Sequence, residues 1–229
     1  MDRASSMNDQ QRDGIGMTSA RTRDRLILTL RREGISDPDV LSVIRSVPRH
    51  LFVDEALASR AYENTVLPLG HGQTISQPLV VAQMTQSLIS GRERPLAKVL
   101  EIGTGCGYQT AVLAAFAQHV YGIERVLPLL KRSKQHLRAL RINNVSLRHG
   151  DGSQGWVSQA PFQGILVAAA PERIPDALLM QLDDGGRLLI PIGRSGRQSL
   201  LSITRQGNEF RREVLGPVSF VPLLEGTAS

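Results

Sequence analysis

The nine residues GHGQTISQP, positions 70–78, have the density of small and polar side chains expected of a reactive loop. They hold two hydroxyls (Thr74, Ser76), two amides (Gln73, Gln77) and His71, but no cysteine, lysine or carboxylate. Such a set can orient a ligand and hydrogen-bond to it; it holds no paired general base and no activated nucleophile. It suits a reaction whose acceptor arrives already charged. His71 has no acidic neighbour in the loop and reads as structural. A second cluster lies in VLEIGTGCGYQ, positions 99–109, where Glu101 precedes Gly103, Gly105 and Gly107 at alternate positions. Glycines at this spacing let the main chain turn sharply and meet a ligand without an intervening Cβ. A dinucleotide loop wants G-x-G-x-x-G; here the third glycine comes one residue early and Tyr108 stands in its place, which weighs against NAD.

Two further carboxylates follow at the ends of apolar runs, Glu124 in HVYGIE and Asp151 in RHGDGSQGW. A carboxylate at the first position can accept both ribose hydroxyls, and one at the second can accept from an adenine amine, with Gly152 leaving room for the ring. Each acid also has a local reading: Glu101 bonding the N–H groups of the loop, Glu124 capping a helix, Asp151 closing a turn. The three in register behind one glycine loop favour a nucleoside-bearing cofactor over three separate local roles. Cys106 is the only cysteine, so no disulfide can close within the chain, and no Cys/His set has zinc-ligand spacing. Inside the glycine loop it reads as a small filler.

The elements that must position these groups are those of an α/β protein. KVLEIG, HVYGIE, NVSLRHG, GILVAAA and GRLLIPIG read as strands, with helices expected over 108–117, 126–141 and 175–181 between most of them. That alternation is the signature of a doubly wound, mostly parallel sheet. SLLSITR and VSFVPL follow without a helix between them and are expected to be antiparallel strands at one edge. Upstream, Leu26, Ile27 and Leu30 recur at helical spacing, and Asp37-Pro38 looks like a cap and first residue of a second helix through Val40, Leu41 and Ile44. Ser76 or Gln77 before Pro78 opens another helix, whose free N–H groups would favour an anion. The expected organisation is a disordered leader over residues 1–17 and a single domain over 18–229. Within that domain, helices and the polar loop occupy 18–95, the cofactor core 96–193 and edge strands 194–229.

The chain has 229 residues and a formal net charge of +6. Its basic residues fall in three groups, 21–32, 131–141 and 187–212, with Phe210 the one Phe, Tyr or Trp among them, too few to stack on successive bases; they read as solvated helix faces. No run approaches the ~18 apolar residues of a membrane span, and no secretory segment opens the chain. A cytoplasmic monomer with no membrane or nucleic-acid partner is the expectation.

The E-x-G-x-G-x-G pattern resembles that of class I S-adenosylmethionine-dependent methyltransferases. Within that class, AAAPER at 168–173 offers no Asn or Asp to orient a base amine, and the one cysteine is in the wrong place for attack on a pyrimidine ring. The motifs VPRHLFV, GQTISQP, LEIGTGCGYQTAVLA, RHGDGSQGW, AAAPERIP, LDDGGRLLIPIG and FVPL, spanning about residues 20–225, resemble the protein-L-isoaspartate (D-aspartate) O-methyltransferases. The resemblance implies S-adenosylmethionine as cofactor and peptides or proteins containing isoaspartyl residues as partners. The methyl ester formed would let the next main-chain nitrogen close a succinimide, whose hydrolysis returns some normal aspartate. It also implies Ser76 as the active-site serine, Gln73, Thr74 and Ile75 as pocket lining, and Glu101, Gly103, Gly105, Gly107, Glu124, Arg125, Asp151 and Gly152 as cofactor-binding positions. Cys106 replaces a serine common in the family, and Gln163-Gly164 a common Phe-Asp-Ala start; neither removes a matched functional group. A methyltransferase acting on RNA or a small molecule is the alternative.

Overall fold

Helix α1 (Ala20–Arg32) turns Leu26, Ile27 and Leu30 inward, and α2 (Pro38–Ser46) does the same with Val40, Leu41 and Ile44. Asp37 caps α2 as expected, its carboxylate accepting from the N–H groups of Asp39 and Val40, with Pro38 where a missing N–H is harmless. The computed structural model describes residues 14–229. Of the leader expected over 1–17, residues 1–13 lie outside the described residues, whereas Gly16–Thr18 form a 3-10 turn. Two more such turns, Arg49–Phe52 and Glu55–Arg60, lead to a hairpin of β1 (Leu67–Gly70) and β2 (Gln73–Ile75) that stands apart from the main sheet. Helix α3 (Pro78–Ile89) follows.

The main sheet then builds through β3 (Leu96–Ile102), α4 (Tyr108–Ala114), β4 (Ala117–Glu124), α5 (Leu127–Ala139), β5 (Val145–His149), β6 (Phe162–Val167), α6 (Asp176–Met180), β7 (Leu182–Arg194), β8 (Arg197–Gln206) and β9 (Glu209–Val218). Its order is β5-β4-β3-β6-β7-β8-β9. Pairings from β5 through β7 are parallel, while β7-β8 and β8-β9 are antiparallel. The chain runs outward from β3 through β4 and β5, then crosses back to the far side of β3, so the order reverses there and opens a crevice at the carboxyl ends of β3 and β6. Period-two alternation in β3 sends Leu100 and Ile102 to one core layer and Val99, with Glu101, to the layer of α3 and α4. Gly164 of β6 packs closely under α3: a Cβ there would lie 3.1 Å from the Leu88 side chain.

Three expectations are corrected. Helix α4 stops at Ala114 because Ala117 already begins β4. The last strand is EFRREVLGPV and not VSFVPL; its side chains are mostly exposed at the sheet edge, which hides the apolar alternation that marks a strand. For the same reason the third basic group lies on β7, β8 and β9, not on a helix face.

Candidate active site

The carboxyl ends of β3, β4 and β6, the β1-β2 hairpin and residues 221–224 line a cleft that is partly open to solvent. It gathers Gln73, Thr74, Ile75, Ser76, Glu101, Gly103, Gly105, Glu124, Arg125 and Gly152. Gly107 and Asp151 are not among its lining residues.

Gly103, Gly105 and Gly107 have φ of 82°, 52° and 90°, the left-handed region that side chains with a Cβ disfavour. A Cβ at Gly103 or Gly105 would meet nothing closer than 3.8 Å or 3.6 Å, so the space over them is open cleft. One at Gly107 would lie 3.1 Å from the Ser133 Cβ. The first two glycines form a cradle; the third lets α4 lie against α5.

The two glutamates divide the work differently from their local readings. Glu124, not Glu101, ties the loop: its Oε2 accepts from Gly105 N at 2.7 Å and its Oε1 from Val126 N at 2.9 Å. Glu101 is fully buried and, among the described residues, neither of its oxygens has a hydrogen-bond partner. Burial pushes its pKa up to about 8; the facing Thr110 hydroxyl opposes the rise without reaching hydrogen-bond geometry, and the Glu124 charge adds to it. A buried, unpaired acid that lines a cleft suits a ligand carrying an ammonium group. Together with the open glycine cradle it fits the amino-acid end of S-adenosylmethionine, and Glu124 keeps a free lone pair on each oxygen for ribose hydroxyls. Cys106 is buried, its thiol pushed up to about 11 by burial, and is no nucleophile.

A C-terminal strap closes the cleft. Leu223 N donates to Ala170 O at 2.9 Å, Ala170 N to Val221 O at 2.8 Å, and Ala228 N to Arg125 O at 2.7 Å. The Arg125 guanidinium donates to Gly226 O and Glu225 O at 3.3 and 3.4 Å. Asp151 joins this strap: its Oδ2 accepts from Gly226 N at 2.7 Å and its Oδ1 from Ser153 N at 2.8 Å. Burial works against its charge, yet these donors outweigh it and hold the carboxyl below the ordinary value.

Ser76 sits between β2 and α3 at the junction of this cleft with a second groove, lined also by Val66, Gln77, Val80, Gln83 and residues 217–221. Its hydroxyl has no hydrogen bond among the described residues. The N-cap of α3 is Gln77, without a side-chain bond. The anion site expected at this helix start is absent among the described residues: Pro78 has no N–H, Leu79 N donates to Asn64 Oδ1 at 3.0 Å, and Val80 N and Val81 N donate to Gln77 O. His71 lies exposed at the hairpin tip with φ 52°, between Gly70 and Gly72.

Sheet order, glycine cradle and the buried acid behind it define a class I methyltransferase, whose methyl donor is S-adenosylmethionine. The family model described as Protein-L-isoaspartate(D-aspartate) O-methyltransferase matches residues 21–228, and the chain belongs to that family. It is 56% identical over 220 residues to a protein-L-isoaspartate O-methyltransferase of Halorhodospira halophila, covering 96% of this chain and 99% of the relative. It is 58% identical over 221 residues to that of Alkalilimnicola ehrlichii, with the same coverage. A solved protein-L-isoaspartate O-methyltransferase superposes with a TM-score of 0.80 at 26% identity, over 90% of this chain and 67% of that one. A putative one from Plasmodium falciparum, in complex with S-adenosyl-L-homocysteine, gives 0.74 at 28% identity over 88% and 98%.

Sequence reasoning missed the strap, Tyr108 and Gln109 as lining, and the contact behind Ser76, where Arg49 Nη2 donates to the Ser76 carbonyl at 2.7 Å. FVPL was visible as a motif but read as a strand; nothing in VPRHLFV says where its arginine points.

Proposed function

We infer that the chain transfers a methyl group from S-adenosylmethionine to the free carboxylate of L-isoaspartyl residues in proteins and peptides, and in the second instance of D-aspartyl residues. One observation carries the reading: likeness over nearly the whole chain to relatives named for that acceptor, to which the chemistry of the site conforms. S-adenosylmethionine, when bound, supplies an electrophilic methyl carbon. The chain's own residues supply the rest. Glu101, the cradle of Gly103 and Gly105, and Glu124 hold the donor, with Gln73, Thr74, Ile75, Arg125 and Gly152 around it. Gly107 serves through the packing of α4, and Asp151 at the adenine end together with the strap it holds.

The acceptor carboxylate has a reference pKa near ~3.9 and is ionised at neutral pH, so no residue need remove a proton. What remains is placement and exclusion of water. The Ser76 hydroxyl, free of other bonds, donates to the acceptor carboxylate without neutralising it, as a lysine in its place would. The groove beyond Ser76 receives the flanking peptide in extended form. Once the ester forms, its alkoxy group leaves as the next main-chain nitrogen attacks, and the succinimide hydrolyses without help from the enzyme. The proposal includes a cytoplasmic monomer: the cleft is completed within one chain. Nucleic acid is not among the partners proposed, since Arg187 and Arg205 of the third basic group donate to main-chain carbonyls of Ser90 and Leu182.

The test is a matched pair of peptides, one L-isoaspartyl and one L-aspartyl, incubated with protein and S-adenosylmethionine and assayed for base-labile methyl ester. Ester on the isoaspartyl peptide alone is expected. Ester on neither, with the cofactor bound, would overturn the choice of acceptor.

A further inference from the structure

Arg49 has no part in the chemistry described so far, yet its surroundings are unusual. It opens the 3-10 turn Arg49–Phe52, is fully buried, and directs its donors to main-chain carbonyls: Nε to Ala61 O at 2.9 Å and Nη2 to Ser76 O at 2.7 Å. Its guanidinium carbon lies 4.7 Å from the centroid of Tyr108, which lines the cofactor cleft. Among the described residues no carboxylate pairs with it; the Tyr108 hydroxyl interacts with the guanidinium without reaching hydrogen-bond geometry, which leaves that hydroxyl and Nη1 without a bond. Burial lowers its pKa, with Tyr108 and Cys106 opposing, but a guanidinium stays protonated in proteins.

A buried charge with no counter-charge is expensive, and an apolar side chain of similar volume often fills such a place at no loss of stability. The charge therefore asks for a use that packing does not supply. One lies next to it. The Ser76 carbonyl it holds belongs to the residue that stands at the junction of the two clefts, where the acceptor carboxylate must come to rest. The buried acid, Glu101, lines the donor cleft; the buried cation holds the main chain of Ser76, which lines both clefts. A cationic donor and an anionic acceptor would each meet the opposite sign.

We propose that Arg49 is a positioning residue for the methyl acceptor: it fixes the Ser76 main chain, and its positive charge acts through the Ser76 peptide group to draw a carboxylate, in preference to a neutral amide, into the junction. This rests on the acceptor being a carboxylate, as proposed above. Arg49 touches neither donor nor acceptor; it acts through Ser76 and Tyr108.

The measurement uses the enzyme loaded with S-adenosyl-L-homocysteine, which cannot transfer a methyl group. Dissociation constants are taken for an isoaspartyl peptide and for the same peptide with that carboxylate replaced by a carboxamide. Wild type should prefer the carboxylate by about tenfold or more, the scale of one charge pair at short range. Arg49→Met should bind the two peptides within about twofold of each other, with S-adenosyl-L-homocysteine affinity unchanged within about twofold. Arg49→Lys, which keeps the charge but not the planar fork, should retain most of the preference while kcat falls. A preference that survives in Arg49→Met would overturn the proposal. So would equal binding of both peptides by wild type, a result that stands whether or not the methionine variant folds. Failure of the functional reading would show separately, as absence of isoaspartyl ester when wild type is given S-adenosylmethionine.

Discussion

Glu101 and Glu124 show how residue type can be legible while role is not. The spacing of both acids marks a nucleoside-binding loop, but which of them clamps the loop depends on side-chain direction, and that is set by the pleat of β3 and the path into α5. With Glu101 unpaired and its pKa near 8, the free protein holds it protonated at neutral pH. A ligand ammonium pairs with the carboxylate and expels that proton, so affinity for S-adenosyl-L-homocysteine should fall as pH drops below about 8, by up to tenfold per unit. Titration calorimetry from about pH 6 to 8 should show the slope in wild type and lose it in Glu101→Gln; an unchanged slope would count against the pairing. Because the folded pKa is raised, the neutral acid's contribution to stability is complete below the unfolded value and is lost as pH rises through about 8. Ser76 makes the complementary case. Its hydroxyl bonds nothing in the fold and Gln77 is the N-cap, so Ser76→Ala should lower kcat by roughly ten- to a hundredfold, the scale of one hydrogen bond to a charged group. The melting temperature should move by no more than about 1 °C, measured by thermal denaturation beside the kinetics.

Among the elements, the strap of residues 221–228 is the one the sequence concealed. FVPL is apolar and short, as an edge strand would be, and only the carbonyl partners at Ala170 and Arg125 show that it crosses the cleft instead. Asp151 has two separable readings, a direct contact with adenine or an anchor for the strap. Asp151→Ala and a truncation after Phe220 should each weaken S-adenosyl-L-homocysteine binding by about tenfold. If Asp151 acts through the strap, its replacement in the truncated chain should add little; additive losses would assign it the direct contact. The glycine loop separates in the same way. Gly107→Ala forces a Cβ into the left-handed region and against Ser133, and should cost about 1–2 kcal/mol, lowering the melting temperature by about 2–8 °C with little change in cofactor affinity. Gly105→Ala meets no protein atom closer than 3.6 Å but intrudes on the cradle, so its effect on affinity should exceed that of Gly107→Ala.

At the scale of the molecule, the apolar runs from β3 to β7 made the parallel sheet legible, because strands buried on both faces read as continuous Val, Ile and Leu. The edge was half legible. SLLSITR keeps one buried face and is recognisable as β8, while β9 has lost that signal to its exposed arginines and glutamates. The whole arrangement, with acids about the donor and hydroxyls about the acceptor, makes sense for an acceptor that needs no base. The most direct test is the pH dependence of the transfer step itself: the single-turnover rate of ester formation on an isoaspartyl peptide, at saturating S-adenosylmethionine and peptide, from about pH 6 to 8.5. The rate should be flat, since a carboxylate of pKa ~3.9 is ionised throughout. A rate that climbs about tenfold per pH unit across that range would reveal a titrating base in the site and contradict the account.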